Sequence, residues 1–258
     1  MSPSGKQTIT VVSCHFGDPF WISHMCRQLD RFSDERLEQI VLVDQSRNSR
    51  EALVCLPRVS QVLSFPVDQE EMALVGHDHP ASVNRALRSI DFTTSHVLVL
   101  DSDCFPIAPD WLDHLHDVSL ASDPRHGDLS HPCFMLFPAG IASQLDFAED
   151  MRSNHTDTGR HVGAQIARLG LEVRFNRPQV AFSGYRGHFM LNRRIYHHGS
   201  ASFASSPDSR LNGQIDRTNE ARLRELAESG NFELTRKDLM EFELQGARRR
   251  LTSMTGSR

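Results

Sequence analysis

Residues 96–103 read HVLVLDSD, an apolar run that ends in two carboxylates separated by one serine. A short apolar run of this kind predicts a strand that is buried on both faces of a parallel sheet. The residues that follow it then lie at the carboxyl end of the strand, where open α/β sheets bind their ligands. We therefore expect Asp101 and Asp103 to lie at the ligand-binding edge of a sheet.

Similar units precede this segment along the chain. The runs TITVVSC at 8–14 and QIVLVD at 39–44 predict two more buried strands, and a weaker one spans 59–65. Between them, apolar residues recur at the spacing of amphipathic helices. Strands that alternate with helices predict a mostly parallel central sheet flanked by helices, an α/β fold. The strand ends then bring three polar residues to one edge of the sheet: Ser13, Asp44 and Asp101.

The second half of the chain is less regular. Residues 129–137 (LSHPCFMLF) form a strand-like run, and residues 158–169 have a helical pattern that ends at a glycine. From about residue 205 the chain turns polar and then gives two helical patterns. We predict an α/β domain over residues 1–204 and a helical extension over residues 205–258, with homodimer formation as one role open to the extension.

The composition excludes several classes of protein. The chain has 258 residues, of which 39% are hydrophobic and 24% charged, as is ordinary for a folded protein. Its net charge of −5 argues against a nucleic-acid partner, because such binding depends on excess lysine and arginine. No apolar run reaches the roughly 18 to 20 residues of a membrane span, and no secretion signal is evident. Five cysteines without close pairing indicate reduced thiols, so we expect a cytoplasmic protein.

The DSD triplet carries the clearest chemical signal. Two carboxylates two residues apart at a strand end form a hard-oxygen site suited to Mg²⁺ or Mn²⁺, with phosphate oxygens completing the coordination. A turn with capping aspartates explains the same residues without any ligand. On the triplet alone, both interpretations stay open.

Residues 97–106, VLVLDSDCFP, resemble the DxD segment of GT-A glycosyltransferases, in particular of family-two-like bacterial enzymes. Three other segments follow in the order of that family: 8–14 is similar to its first strand, 40–46 to its second, and 76–87 to the helix start beside the nucleotide. The resemblance covers residues 8–200. It implies a set of nucleotide-binding residues: Ser13, Cys14, Asp44, Gly76, Asn84, Arg85 and Asp101.

The resemblance also implies a reaction, the transfer of a sugar from a nucleotide-sugar donor to an acceptor. A divalent ion, Mn²⁺ or Mg²⁺, would neutralise the departing nucleoside diphosphate. Asp103 would bind the ion directly, and Asp101 would reach the ribose, or the ion through water. A UDP-sugar is the preferred donor, since Asp44 suits a pyrimidine imide, with GDP next. The acceptor stays open among saccharides, lipid-linked molecules and small molecules.

A general base is expected near the acceptor. Asp157, in the sequence HTDTG, resembles the acidic residue of the family there and predicts a single inverting displacement. A helix N-cap is the alternative role for Asp157, and Glu149 and Asp150 are alternative bases. The late segment YHHGS also resembles that of retaining GT-A enzymes, so the stereochemistry stays open.

Histidines add two further hypotheses. Imidazole can complete a metal shell begun by carboxylates, and adjacent side chains of an extended segment point in opposite directions. Only one of His197 and His198 should therefore reach the ion, and we favour His198. The run HPCFMLF that begins at His131 fits either a core strand, which we favour, or the lining of a sugar pocket.

Three other classes of protein share parts of this pattern. A haloacid-dehalogenase-like phosphatase also has a strand that ends in DxD, but usually near the start of the chain and with Thr or Val where Phe105 stands. A nucleotidyltransferase normally opens with a Gly-rich basic loop, which SCHFGDP at 13–19 does not match. A noncatalytic sugar-nucleotide-binding subunit would keep the same fold and bind without turnover.

Overall fold

The computed structural model describes residues 7–17, 19–47, 49–70, 78–123, 127–149, 158–178, 180–181 and 188–199. The strands in these ranges are β1 (Ile9–His15), β2 (Leu37–Asp44), β3 (Val59–Leu63), β4 (His96–Leu100), β5 (Cys104–Pro106), β6 (Ser119–Ser122), β7 (Ser130–Pro138), β8 (Arg174–Asn176), β9 (Val180–Ala181), β10 (His188–Met190) and β11 (Ile195–His197). The predicted extension at 205–258 lies outside the described residues.

The helices alternate with the strands in the first half of the chain. They are α1 (Phe20–Phe32), α2 (Arg50–Leu53), α3 (His79–Ser89) and α4 (Val162–Arg168), with 3₁₀ turns at Trp111–His114 and Ala139–Gln144. Pro80 stands in the first turn of α3, where its missing N–H costs no helical hydrogen bond. Within the described ranges, every helix is too short or too polar to cross a lipid bilayer.

The main sheet has seven strands in the order β3-β2-β1-β4-β7-β6-β8. The first four are parallel to one another, and Val12 at the centre of β1 lies between Val41 of β2 and Val99 of β4. β7 runs antiparallel to both β4 and β6, while β6 and β8 are parallel. The prediction of a mostly parallel α/β sheet flanked by helices is confirmed.

Two apolar layers cover the faces of this sheet. In β4 the side chains alternate, so that Leu98 belongs to one layer and Val97 to the other. Helix α1 packs its buried side chains on the Leu98 side, and α3 and α4 pack on the Val97 side. Burial of each such aliphatic side chain stabilises the fold by about 1.5–3 kcal/mol, so the sheet is covered on both faces as its apolar strands require.

A second, smaller sheet meets the carboxyl end of β4. Its four strands are antiparallel in the order β5-β11-β10-β9. β5 begins directly after the DSD triplet, and its Cys104 lies opposite His197 of β11. The pairing therefore brings the late histidine segment to the edge of the main sheet.

Candidate metal and nucleotide site

The backbone around the DSD triplet is held on three sides. The N–H of Asp101 donates to the carbonyl of Cys133 in β7 at 3.1 Å, and the N–H of Cys104 donates to the carbonyl of Asp101 at 3.0 Å. The N–H of His198 donates to the carbonyl of Asp103 at 3.0 Å. These bonds tie the turn to both sheets, so its two carboxylates have a fixed place.

Three side chains converge at this turn. The Nε2 atom of His197 lies 3.4 Å from Oδ1 of Asp103 and 3.7 Å from Oδ2 of Asp101. One ligand atom from each of the three lies within 4.8 Å of the other two. The side chains of Asp103 and His197 are only 6% and 5% exposed, but that of Asp101 is 23% exposed. The group is therefore buried on one side and open to a ligand at Asp101.

The charge state of His197 follows from these neighbours. Burial alone lowers the pKa of its imidazole, but Cys133 and Asp103 outweigh burial and raise the pKa well above its ordinary value. A positive charge is thus favoured between the carboxylates. A divalent cation would supply such a charge and take the place of the proton.

The donor set fits a divalent metal. Two carboxylates and one imidazole are ligands that Mn²⁺ accepts, and the carboxylates also suit Mg²⁺. The DSD triplet predicts such a site at Asp101 and Asp103, and the structure brings these two carboxylates together with a histidine.

The neighbouring histidine has a different environment. The ring of His198 stacks on Trp21 with centroids 4.5 Å apart and an interplanar angle of 17°. Its Nδ1 atom lies 3.1 Å from the hydroxyl of Tyr196. Because adjacent residues of a strand point to opposite faces, the pairing of β11 with β5 turns one histidine toward the carboxylates and the next toward α1. His197, not the predicted His198, is therefore the histidine that the structure brings to Asp101 and Asp103.

Ser13 and Cys14 lie at the end of β1, in the strand next to β4. The hydroxyl of Ser13 is buried and makes no hydrogen bond with any residue in the described ranges. Burial raises the pKa of the Cys14 thiol, and the carboxylates of Asp101 and Asp78 act in the same direction, so the thiol stays protonated. Both residues lie at the predicted edge of the sheet.

Asp44 ends β2, and both of its carboxylate oxygens accept backbone bonds. The N–H of Arg47 donates to Oδ1 at 3.0 Å, and the N–H of Ser49 donates to Oδ2 at 2.9 Å. Arg47 in turn pairs with Asp78 at 2.8 Å, and Gln45 donates to the same carboxylate at 3.0 Å. Asp44 thus shapes the turn after β2, and polar side chains surround that turn.

Asn84 and Arg85 connect helix α3 to neighbouring loops. The amide of Asn84 donates to Oδ1 of Asp146 at 2.7 Å and accepts the N–H of Phe147 at 2.9 Å. Arg85 donates to the carbonyl of Pro66 at 2.6 Å and to Asp68 at 3.0 Å. These contacts hold helix α3 against the loops around it. Among the described contacts, neither residue is joined to Asp101, Asp103 or His197.

The other predicted residues lie elsewhere. Gly76 and Asp157 fall outside the described residues, as does Asp150. Glu149 is described, and its carboxylate pairs with Arg168 of α4 at 2.9 Å.

Two residues near His197 were not expected as a group with it. The ring of His131 has its centroid 5.4 Å from that of His197, and the ring of His188 has its centroid 4.8 Å away. Burial raises the pKa of the adjacent Cys133 to about 12. The HPCFMLF run does form a core strand, as we favoured, but His131 at its start reaches this site. His188 had no signal in the sequence, because the β10–β11 pairing brings it there.

The comparisons with known proteins concern the fold. No protein-family model and no curated protein matches the chain. Among solved structures, it is similar to the mannosyltransferase PcManGT from Pyrobaculum calidifontis in complex with GDP-Man and Mn²⁺, with 16% identity and a TM-score of 0.50. That match covers 67% of this chain, which spans only 55% of the mannosyltransferase. At this identity the likeness shows the fold alone, and the fold is the GT-A, Rossmann-like type.

A second solved structure has a weaker likeness. It is a 4-diphosphocytidyl-2C-methyl-D-erythritol synthase from Anaerococcus prevotii, with 10% identity and a TM-score of 0.44. The match covers 66% of this chain and 87% of that protein.

Proposed function

We propose that this protein is a metal-dependent glycosyltransferase that moves a sugar from a nucleotide-sugar donor to an acceptor nucleophile. The observation that carries the proposal is the group formed by Asp101, Asp103 and His197 at the carboxyl end of β4. In an open α/β sheet, this edge is where ligands bind. A divalent cation held there neutralises charge on a departing nucleoside diphosphate.

Each residue of the group has a separate task in this proposal. Asp103 and His197 are the more buried side chains and would hold the cation, Mn²⁺ or Mg²⁺. Asp101 is more exposed and would reach the ribose of the nucleotide, or the cation through water. The bonds from Cys133 and His198 to this turn keep the carboxylates oriented before the donor binds.

The nucleotide is proposed to extend from this group along the strand ends toward β2. A carboxylate has about four acceptor positions, so Asp44 can accept a base imide N–H in addition to its two backbone bonds. This favours UDP, and GDP follows because the similar mannosyltransferase was solved with GDP-Man and Mn²⁺.

Asp157 is proposed as the general base that takes the proton of the acceptor during an inverting displacement. The residues just after it are well anchored: the N–H of Gly159 donates to the carbonyl of Phe147 at 2.8 Å, and the hydroxyl of Ser130 donates to the carbonyl of Gly159 at 2.8 Å. Asp157→Asn should keep donor affinity and lose transfer by about 100-fold or more, since general-base catalysis contributes 10²–10⁴-fold. Full transfer by this variant would assign the proton transfer to another residue.

The donor class is tested by thermal unfolding with UDP-, GDP-, CMP- and dTDP-sugars, each with and without Mn²⁺. We expect one nucleotide to raise the melting temperature only when the metal is present. Asp103→Asn should remove that shift, while the exposed Asp91→Asn, a matched change of charge, should preserve it.

Transfer is then measured with the donor found in this way. Binding that needs Mn²⁺ but yields neither transfer nor donor hydrolysis would identify a noncatalytic sugar-nucleotide-binding protein. Absence of any metal-dependent shift across the panel would contradict the donor site itself.

A further inference from the structure

A second group of potential metal ligands lies beside the carboxylates. It consists of His131, Cys133 and His197, and one ligand atom from each lies within 4.8 Å of the other two. Cys133 is fully buried, His197 is 4% exposed, and His131 is partly exposed. His197 belongs to both groups, so the two candidate sites are adjacent.

The elements of the fold hold these residues in place. His131 and Cys133 lie in the first part of β7, where the carbonyl of Cys133 accepts the N–H of Asp101 at 3.1 Å. The Nδ1 atom of His131 lies 3.3 Å from the backbone nitrogen of Cys133, a long hydrogen bond that keeps the imidazole beside this strand and that the ring would give up to bind a metal. The ring of His188 packs edge-on against that of His197 and encloses the group on the side of β10.

His197 has an unsatisfied atom at this place. Its Nε2 atom faces Asp101 and Asp103, whereas its Nδ1 atom is buried and makes no hydrogen bond with the residues that the structure describes. Leaving a buried polar nitrogen without a partner destabilises the folded protein. A ligand that binds the Nδ1 atom of His197 removes this destabilisation.

The chemistry of the second group differs from that of the carboxylates. Thiolate and imidazole are softer ligands than carboxylate, and a set of one thiolate and two imidazoles is typical of Zn²⁺ sites. Three protein ligands leave a fourth tetrahedral position for water. We propose that His131, Cys133 and His197 form a second divalent-metal site that selects Zn²⁺-like ions and shares His197 with the carboxylate site.

Sharing has a consequence for the carboxylate site. A neutral imidazole offers one lone pair, so His197 serves one ion at a time. Zn²⁺ bound by the thiolate therefore withdraws His197 from Asp101 and Asp103, and Mn²⁺ binds there more weakly. Zn²⁺ at one equivalent should raise the Kd for Mn²⁺ about tenfold or more, the usual effect of losing a supporting histidine interaction.

The site is tested with Co²⁺ as a spectroscopic substitute for Zn²⁺ in the metal-free protein. We expect one equivalent of Co²⁺ to produce the near-ultraviolet charge-transfer absorption of a cobalt–thiolate bond, and Zn²⁺ to abolish it by displacement. Cys133→Ser should lose this absorption. Cys55→Ser, which removes the exposed cysteine, should retain it.

His131→Asn provides a second variant at a partly exposed position, should Cys133→Ser fail to fold. It should keep the circular dichroism spectrum of the wild type and weaken Co²⁺ binding about tenfold or more. Cobalt binding to the wild type without thiolate absorption would overturn the proposal. So would absorption that survives in Cys133→Ser, or a Co²⁺ affinity that is unchanged in His131→Asn. These readouts depend only on metal binding, so they stand apart from the test of sugar transfer.

Discussion

His197 is the side chain that connects the two candidate metal groups. Its ring is buried between the carboxylates of the DSD turn and the thiol of Cys133, and Cys133 and Asp103 raise its pKa well above the ordinary value despite burial. A histidine so placed is favoured as a cation or as the ligand of one. Its neighbour His198 instead packs against Trp21 and contributes to the core around α1.

The two histidines predict opposite effects of the same substitution. His197→Gln should weaken Mn²⁺ binding about tenfold or more and leave His198 on Trp21. His198→Gln should keep the Mn²⁺ affinity and lose about 0.5–1.5 kcal/mol of stability, the contribution of an aromatic pair. Metal titration calorimetry and urea denaturation of both variants measure the two quantities. Loss of Mn²⁺ affinity in His198→Gln alone would return the ligand role to that residue.

The place of Asp101 and Asp103 just after β4 was predictable because it depends on a local pattern, an apolar strand that ends in acids. Which of His197 and His198 lies beside these carboxylates was not predictable, since it depends on the register of β11 against β5. Those strands are far apart in the chain, and a shift of one residue exchanges the faces of all side chains. The grouping of His131 and His188 with His197 has the same non-local origin.

Among the elements, the long buried strands and the amphipathic helices were predictable. β1, β2 and β4 follow the apolar runs, and α1 and α3 follow the helical periodicity. The antiparallel direction of β7 was not predictable, because a continuous apolar run carries no information on its direction. The short strands β5, β9 and β10 have three residues or fewer, too few for any periodicity.

The turn before α4 contains a glycine that no other residue replaces well. Gly159 has φ of +66°, and a Cβ added there would lie 2.9 Å from both Cε of Met135 and Cδ1 of Phe147. Gly159→Ala should lose about 2 kcal/mol or more of unfolding free energy, because left-handed backbone costs 1–2 kcal/mol and overpacking adds 1–3 kcal/mol.

Gly140→Ala is the matched control in urea denaturation. Gly140 stands in the 3₁₀ turn after β7, and an added Cβ would meet no atom within 4 Å. Its substitution should be neutral or slightly stabilising. Equal free energies of unfolding for Gly159→Ala and Gly140→Ala would contradict the packing of the turn before α4 against Phe147.

For the whole molecule, the buried His24 predicts a dependence of stability on pH. His24 is 1% exposed in α1, and burial, with a smaller effect of Arg27, lowers its pKa to about 3. The unfolded chain, in which the pKa is about 6.5, binds the proton more tightly in the window between these values. The free energy of unfolding therefore falls as the pH decreases below about 6.5, by about 2 kcal/mol at pH 5 for this group.

Urea denaturation of the wild type and of His24→Leu between pH 7 and pH 5 measures this contribution. The variant should lose about 2 kcal/mol less than the wild type over this range, since other titrating groups affect both proteins alike. If the free energy of unfolding fell equally in the two proteins between pH 7 and pH 5, His24 would not be buried as a neutral ring.

The two sheets meet at the turn from Asp101 to Asp103. The main sheet supplies the carboxylates through β4, and the smaller sheet supplies His197 through β11. Backbone hydrogen bonds to both sheets hold this group, an arrangement that suits the metal and diphosphate binding proposed above.

The most direct measurement is the anomalous diffraction of a crystal grown with Mn²⁺ and the nucleotide selected by the thermal panel. We predict a manganese peak bounded by the side chains of Asp101, Asp103 and His197, with the diphosphate of the nucleotide beside it. A bound nucleotide whose manganese lies away from these three side chains would contradict the proposed site and the function built on it.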